Sequence, residues 1–127
     1  MEVSMSVSET VAILGASSNP ERYALKAQRL LKEKGHRVIP ISLRQSSVDG
    51  DPAVPSMDRV REPVDTLTVY VRPHISSEYR EDIIRLRPRR VIFNPGTENS
   101  ELEAALRAAG IESEEACTLV LLRTGQF

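Results

Sequence analysis

Along the chain, the apolar residues fall into short compact runs separated by longer stretches with a different rhythm. Val11 to Leu14 is one run and ends at Gly15; Val38 to Ile41, Val64 to Val71 and Val91 to Phe93 repeat it. Such runs suit strands buried on both faces of a parallel sheet. Between them the spacing becomes helical, and the alternation predicts an α/β fold: a Rossmann-like, doubly wound parallel sheet of about five strands in a single domain.

The first helix is expected to start near Pro20 with Asn19 or Ser18 as its cap. Proline suits the first helical position, and a short polar side chain accepts an orphan amide hydrogen. Tyr23, Ala27, Leu30 and Leu31 share its inner face, and Gly35 ends it. A second helix is predicted from about His74 to Leu86, with Ile75, Tyr79, Ile83 and Leu86 inward and Pro88 as the stop. A third opens at Asn99 or Ser100, carries Leu102, Ala105, Leu106 and Ala109, and closes at Gly110. A fifth strand is expected at Ile111 to Ser113, and residues 115–122 fit a last helix or a strand equally. Residues 42–62, broken by Pro52 and Pro55, show no sustained period beyond a short edge strand at Ala53 and Val54. Residues 1–9 are polar and aperiodic and read as a disordered or loosely packed leader, which leaves 10–127 as the domain.

Composition then narrows the partners. With 17 basic and 18 acidic residues the net charge is -1, so no global field draws nucleic acid or an anionic membrane. Arg85, Arg87, Arg89 and Arg90 cluster, but none of the three Tyr and two Phe interleaves with them for base stacking. No apolar run approaches the roughly 18 residues of a membrane span. The single Cys117 cannot form an internal disulfide, and the N-terminus lacks the order of a secretory signal, which fits a cytoplasmic protein. His36, His74 and Cys117 give no zinc spacing, so no metal is expected, and Cys117 reads as a small apolar residue. The sequence names no protein partner and leaves a homodimer open.

In a doubly wound sheet, ligands bind beyond the carboxyl ends of the strands, where strand order reverses. A 3-2-1-4-5 order would place the loop after the first strand beside Arg72, and the crevice between them is the predicted site. The stretch Gly15, Ala16, Ser17, Ser18, Asn19 leads from strand to helix, and amides at that helix start favour a phosphate. The same stretch also fits a tight turn at Gly15 with serines as caps, and it lacks the second and third glycines of G-x-G-x-x-G. At the end of the second strand an NAD site places an acid; here Ser42 and Arg44 stand instead, a donor pair suited to a phosphate on the ribose. That disfavours NAD and leaves coenzyme A, with its 3′-phosphate, and NADP, with its 2′-phosphate, both open. Arg72 follows its strand directly and suits an anion or a surface ion pair. Asn94, Pro95 and Gly96 turn the fourth strand toward the third helix and either line the crevice or shape the turn. His74 has no nucleophile or metal partner in the pattern, so no catalytic residue is assigned.

Taken together, Val11-Ala12-Ile13-Leu14-Gly15-Ala16-Ser17, Asn19-Pro20-Glu21-Arg22, Gly35 to Ile41, Phe93-Asn94-Pro95-Gly96 and Leu122 to Phe127 resemble the CoA-binding domain family. These are small stand-alone proteins similar to the N-terminal domain of the succinyl-CoA synthetase α subunit. The resemblance implies coenzyme A or an acyl-CoA on the Gly15-Ala16-Ser17 loop, Arg22 near the phosphates and the second strand end near the adenosine. Two departures stand out: Ser42-Leu43-Arg44 replaces the family's Asn-Pro-basic turn, and Tyr70-Val71-Arg72 keeps one basic residue where relatives carry two. The ligase domain that holds a phosphorylated histidine has no counterpart in these residues, so the resemblance implies binding without thioester synthesis. A small NADP-binding redox enzyme or sensor, or a regulatory subunit with a decayed nucleotide pocket, are the alternative readings.

Overall fold

The structure, a computed structural model, describes residues 8–127. In chain order the elements are β1 (Thr10–Leu14), α1 (Tyr23–Glu33), β2 (Arg37–Ile41), the hairpin strands β3 (Ser47–Val48) and β4 (Asp51–Pro52), and β5 (Thr66–Val69). They continue with α2 (Pro73–Ser76), α3 (Arg80–Leu86), β6 (Arg90–Phe93), α4 (Ser100–Ala108), β7 (Glu112–Glu115) and α5 (Thr118–Arg123). Five strands form one parallel sheet in the order β2-β1-β5-β6-β7, with Val11 opposite both Val38 and Thr66.

The expected edge strand at Ala53 and Val54 shrinks to a single parallel bridge between Val54 and Ile41, outside β2. Val54 donates to Pro40 O and accepts from Ser42 N. Pro52 and Pro55 on either side supply no donors, so pairing cannot extend. Counting that bridge, the sheet keeps the expected 3-2-1-4-5 sense; counting strands alone, it does not.

Alternate strand residues point to opposite faces, and both faces are covered. Ala12, Leu14, Leu67, Val69, Val91 and Phe93 meet Met57, Ile83, Leu102 and Leu106 on one side. Val11, Ile13 and Val38 meet Ala24 and Leu31 of α1 and Leu122 of α5 on the other. Asn99 caps α4 as expected, its Oδ1 accepting from Leu102 N at 3.0 Å. The segment after β7 is a helix, which settles that alternative. The helix expected over 74–86 is instead broken by a tight turn at Ser77–Tyr79 into α2 and α3.

α1 begins later than its cap signals predict. Arg22 N donates to Asn19 O and Glu21 N to Asn19 Oδ1, both at 2.9 Å, so residues 19–22 close a turn of their own before the helix starts at Tyr23. That displaces Tyr23 from the inner face: it is 66% exposed, and the apolar stripe begins at Ala24. Of the expected leader, residues 1–7 lie outside the described residues. Ser8 Oγ donates to Gly35 O and Glu9 N to His36 Nδ1, so both are held against the start of β2. No helix among the described residues is long and apolar enough to cross a membrane.

Candidate functional site

β1 has β2 on one side and β5 on the other, so strand order reverses at its carboxyl end. That is where an open α/β sheet leaves a crevice. Gly15 sits at the junction with φ +92°, a left-handed conformation that glycine adopts without steric cost. A Cβ there would lie 2.8 Å from Val71 Cγ1 and 3.1 Å from both the carbonyl carbon and oxygen of Tyr70. The turn therefore presses its backbone directly on the end of β5.

Beyond Gly15 the loop is folded by its own side chains. Ser17 Oγ accepts from Asn19 N at 3.0 Å, and Asn19 accepts from Glu21 and Arg22 as described. Ser18 Oγ accepts from Gln45 Nε2 at 3.0 Å, which ties this loop to the one after β2. The backbone amides of Ser17, Ser18, Tyr23 and Ala24 have no protein acceptor among the described residues. Those of Tyr23 and Ala24 open α1, where free amides favour an anion, and those of Ser17 and Ser18 lie in the turn before it.

Two clefts open on either side of the turn and share Gly15, Ser17 and Val71. The first, about 620 Å³, lies toward β2; Gly15, Ala16, Ser17, Ser18, Asn19, Ser42 and Arg44 line it. The second, about 540 Å³, lies toward β6; Arg22, Arg72, Pro95 and Gly96 line it with Gly15 and Ser17. Thus eleven of the twelve residues proposed from sequence reach one cleft or the other. Arg22, Arg44 and Arg72 are all exposed, and none forms an ion pair among the described residues.

Asn94 is the exception, and of its two readings its contacts support the shaping of the turn. It is 2% exposed and lines neither cleft. Its Nδ2 donates to Thr68 Oγ1 at 2.7 Å and Val69 O at 2.9 Å, while Oδ1 accepts from Thr118 N at 2.9 Å. The side chain joins β5, β6 and the start of α5, because a buried amide is stable only with its donors and acceptors matched. It shapes the turn that presents Pro95 and Gly96.

Sequence reasoning missed several lining residues. Leu43, 78% exposed, stands at the first cleft with Ile75 and Tyr79, and Tyr23 stands at the second with Glu21 and Thr97. A lone apolar residue between Ser42 and Arg44 was a signal for Leu43; the displacement of Tyr23 needed the Asn19 turn to be seen. Tyr70 also lines the second cleft, but burial pushes its phenol up to about 12, partly offset by the Thr118 and Thr68 hydroxyls beside it. Its hydroxyl makes no well-formed hydrogen bond with them and stays protonated at neutral pH. Neither cleft is lined by histidine or cysteine. Among the described residues no three of His, Cys, Asp and Glu gather as for a metal.

The family model described as "CoA binding domain" matches residues 9–123. A crystal structure of an uncharacterized protein is 42% identical and superposes with a TM-score of 0.90, covering 96% of this chain and 100% of that one. A Thermus thermophilus protein is 35% identical with a TM-score of 0.86, covering 94% of this chain and 91% of that one. An acetyl-coenzyme A synthetase of Ca. Korarchaeum cryptofilum, solved with phosphate and ADP, shares the fold at 19% identity and a TM-score of 0.75, covering 85% of this chain and 25% of that one. No curated protein matches. With a match over almost the whole length, the chain belongs to the CoA binding domain family.

Proposed function

We propose that this protein is a non-enzymatic binding module for coenzyme A or an acyl-CoA, held on the turn after β1. The observation that carries the reading is the close approach of Gly15 to the end of β5, which sets the backbone of this turn between two clefts that share Gly15, Ser17 and Val71. A phosphate chain can cross there against the amides of Ser17 and Ser18, with Arg22 alongside. In the first cleft, Ile41, Leu43, Val71 and Ile75 suit the faces of an adenine, and Ser42 with Arg44 suits a phosphate on the ribose. The pantetheine arm then enters the second cleft past Arg72. A cytoplasmic location accompanies the reading, supported by the unpaired Cys117.

Titration calorimetry of the whole chain with coenzyme A, acetyl-CoA and succinyl-CoA tests it. Binding at about micromolar Kd is expected, weakened about tenfold or more by Arg44→Ala. No heat at protein concentrations near ~100 micromolar, enough to see a Kd of about 10⁻⁴ M, overturns it. NADPH is the competitor to include: displacement of coenzyme A by NADPH at lower concentration would transfer the site to the redox reading.

A further inference from the structure

Gln28 lies on the inner face of α1 and is 0% exposed. Its Nε2 donates to Val48 O at 2.9 Å and to Asp51 Oδ2 at 2.8 Å, so one amide grips both strands of the β3–β4 hairpin. Lys32 Nζ, one turn further along α1, reaches the same Asp51 oxygen at 2.8 Å. Arg29 adds a pair with Asp49 at 3.1 Å on the exposed rim, the kind of contact that contributes little.

The hairpin is continuous with the site. Ala53 N donates to Ser46 O at 2.9 Å, which extends the hairpin to the residue after Gln45, and Gln45 in turn donates to Ser18 of the Gly15 loop. Arg44 is therefore bounded before by Ser42, whose amide donates to Val54 O at 2.9 Å, and after by Gln45 and Ser46, which tie it to Ser18 and to the hairpin that Gln28 and Lys32 hold. Val48 is also buried, but apolar burial is non-directional and sets no register; the bonds from Gln28 do, with Lys32 Nζ adding one to Asp49 O at 3.1 Å on the exposed side.

We infer that Gln28 is a positioning residue that aims Arg44 and so determines the preference for a ligand phosphorylated on the ribose; this rests on the binding function proposed above. No residue of the hairpin lines either cleft, and it reaches the site only through the Arg44 loop on the β2 side. Gly15, Arg22 and Arg72 are carried by other elements, so loosening the hairpin weakens recognition of that phosphate and spares the rest of the ligand. Methionine is the informative replacement. It keeps the volume, removes both bonds, and also removes Gln28 Oε1, a buried acceptor with no partner.

The test is calorimetry of the full chain, its Gln28→Met and Arg44→Ala variants, and the double variant, with coenzyme A and 3′-dephospho-coenzyme A. Gln28→Met is expected to weaken coenzyme A about tenfold and the dephospho compound less than about twofold, with no further loss in the Arg44→Ala background. Asp51→Asn, which weakens the same grip from the hairpin side, is expected to give the same selective loss and carries the test if Gln28→Met does not fold. Equal losses for both ligands, additive losses in the double variant, or no loss at all overturn the inference. A wild-type chain that fails to bind coenzyme A removes the proposed function and this inference with it; one that binds while the variants keep their selectivity removes only this inference.

Discussion

Gly15 and Val71 meet across the reversal point of the sheet so closely that a Cβ on Gly15 would lie 2.8 Å from Val71 Cγ1. The contact joins the loop after β1 to the end of β5 and lies where the two clefts share their lining.

Gly15→Ala is therefore expected to destabilise the fold by about 1–3 kcal/mol, from a strained backbone plus a clash. Val71→Ala in the same chain relieves the nearest contact only, because φ stays at +92° and the Tyr70 carbonyl stays at 3.1 Å. The double variant should recover part of the loss in urea unfolding. Full recovery would show that the side chain, and not the backbone, demands glycine.

The frame of the fold was legible because it rests on period and punctuation. Compact apolar runs marked β1, β2 and β6, a run of apolar residues interleaved with threonines marked β5, and glycines marked the ends of α1 and α4. What escaped was set by contacts distant in sequence. The β3–β4 hairpin turns on Asp49-Gly50, both at positive φ and a local signal, but its seat on α1 is set by Gln28 and Lys32, some twenty residues upstream, which hold its carbonyl and carboxylates. Asn94 reads as a turn residue next to Pro95 and Gly96, yet its partners Thr68 and Thr118 come from β5 and α5. No local pattern reports such partners.

Asn94→Ala should accordingly lower stability by roughly 2–4 kcal/mol, since it strips Thr118 N of its acceptor and Val69 O of a donor inside the core. Affinity of the folded protein for coenzyme A should change little, as Asn94 lines neither cleft. Chemical denaturation with calorimetry below the transition separates the two. A large affinity loss at unchanged stability would restore Asn94 as a ligand contact.

Arg72→Ala should behave in the opposite way. The side chain is exposed and forms no ion pair among the described residues, so stability should stay within about 0.5 kcal/mol. Loss of one charge-assisted contact to the pyrophosphate, where the pantetheine arm begins, is expected to weaken coenzyme A about tenfold at low salt, a gap that narrows as added salt screens the charge. A salt-independent effect would place Arg72 in packing and not in charge recognition.

His36 ties stability to pH. Burial holds its pKa below the ordinary 6.5, an effect reinforced by Arg90 and opposed by Glu9. Its Nδ1 accepts from Glu9 N at 3.0 Å, and its ring stands 5.1 Å from that of Phe127. A base whose folded pKa is depressed lends stability above the unfolded value, lost as pH falls toward the folded one. Thermal melts should therefore decline below about pH 6.5, and His36→Gln should flatten that part of the profile. An unchanged slope in the variant would assign it to other groups.

The opposite sign holds at the far edge of the sheet. Glu115, at the end of β7, has its pKa raised above 4.5, first by a hydrogen bond to the Glu103 carboxyl and then by the charges of Glu103 and Glu98. A raised folded pKa favours the folded state below the unfolded value, and that contribution is lost as pH rises through the folded one. At neutral pH the two carboxylates repel. Glu115→Gln should thus raise Tm near pH 7, with the gain fading as wild type regains its shared proton in acid. Glu103 is the poorer target, because it also accepts from Asn99 N at 3.2 Å beside the cap of α4. Melts of both variants across pH 3 to 8, a range chosen to bracket carboxylate titration near ~4, would decide the matter: a Glu115→Gln gain equal at every pH would mean that the pair does not share a proton.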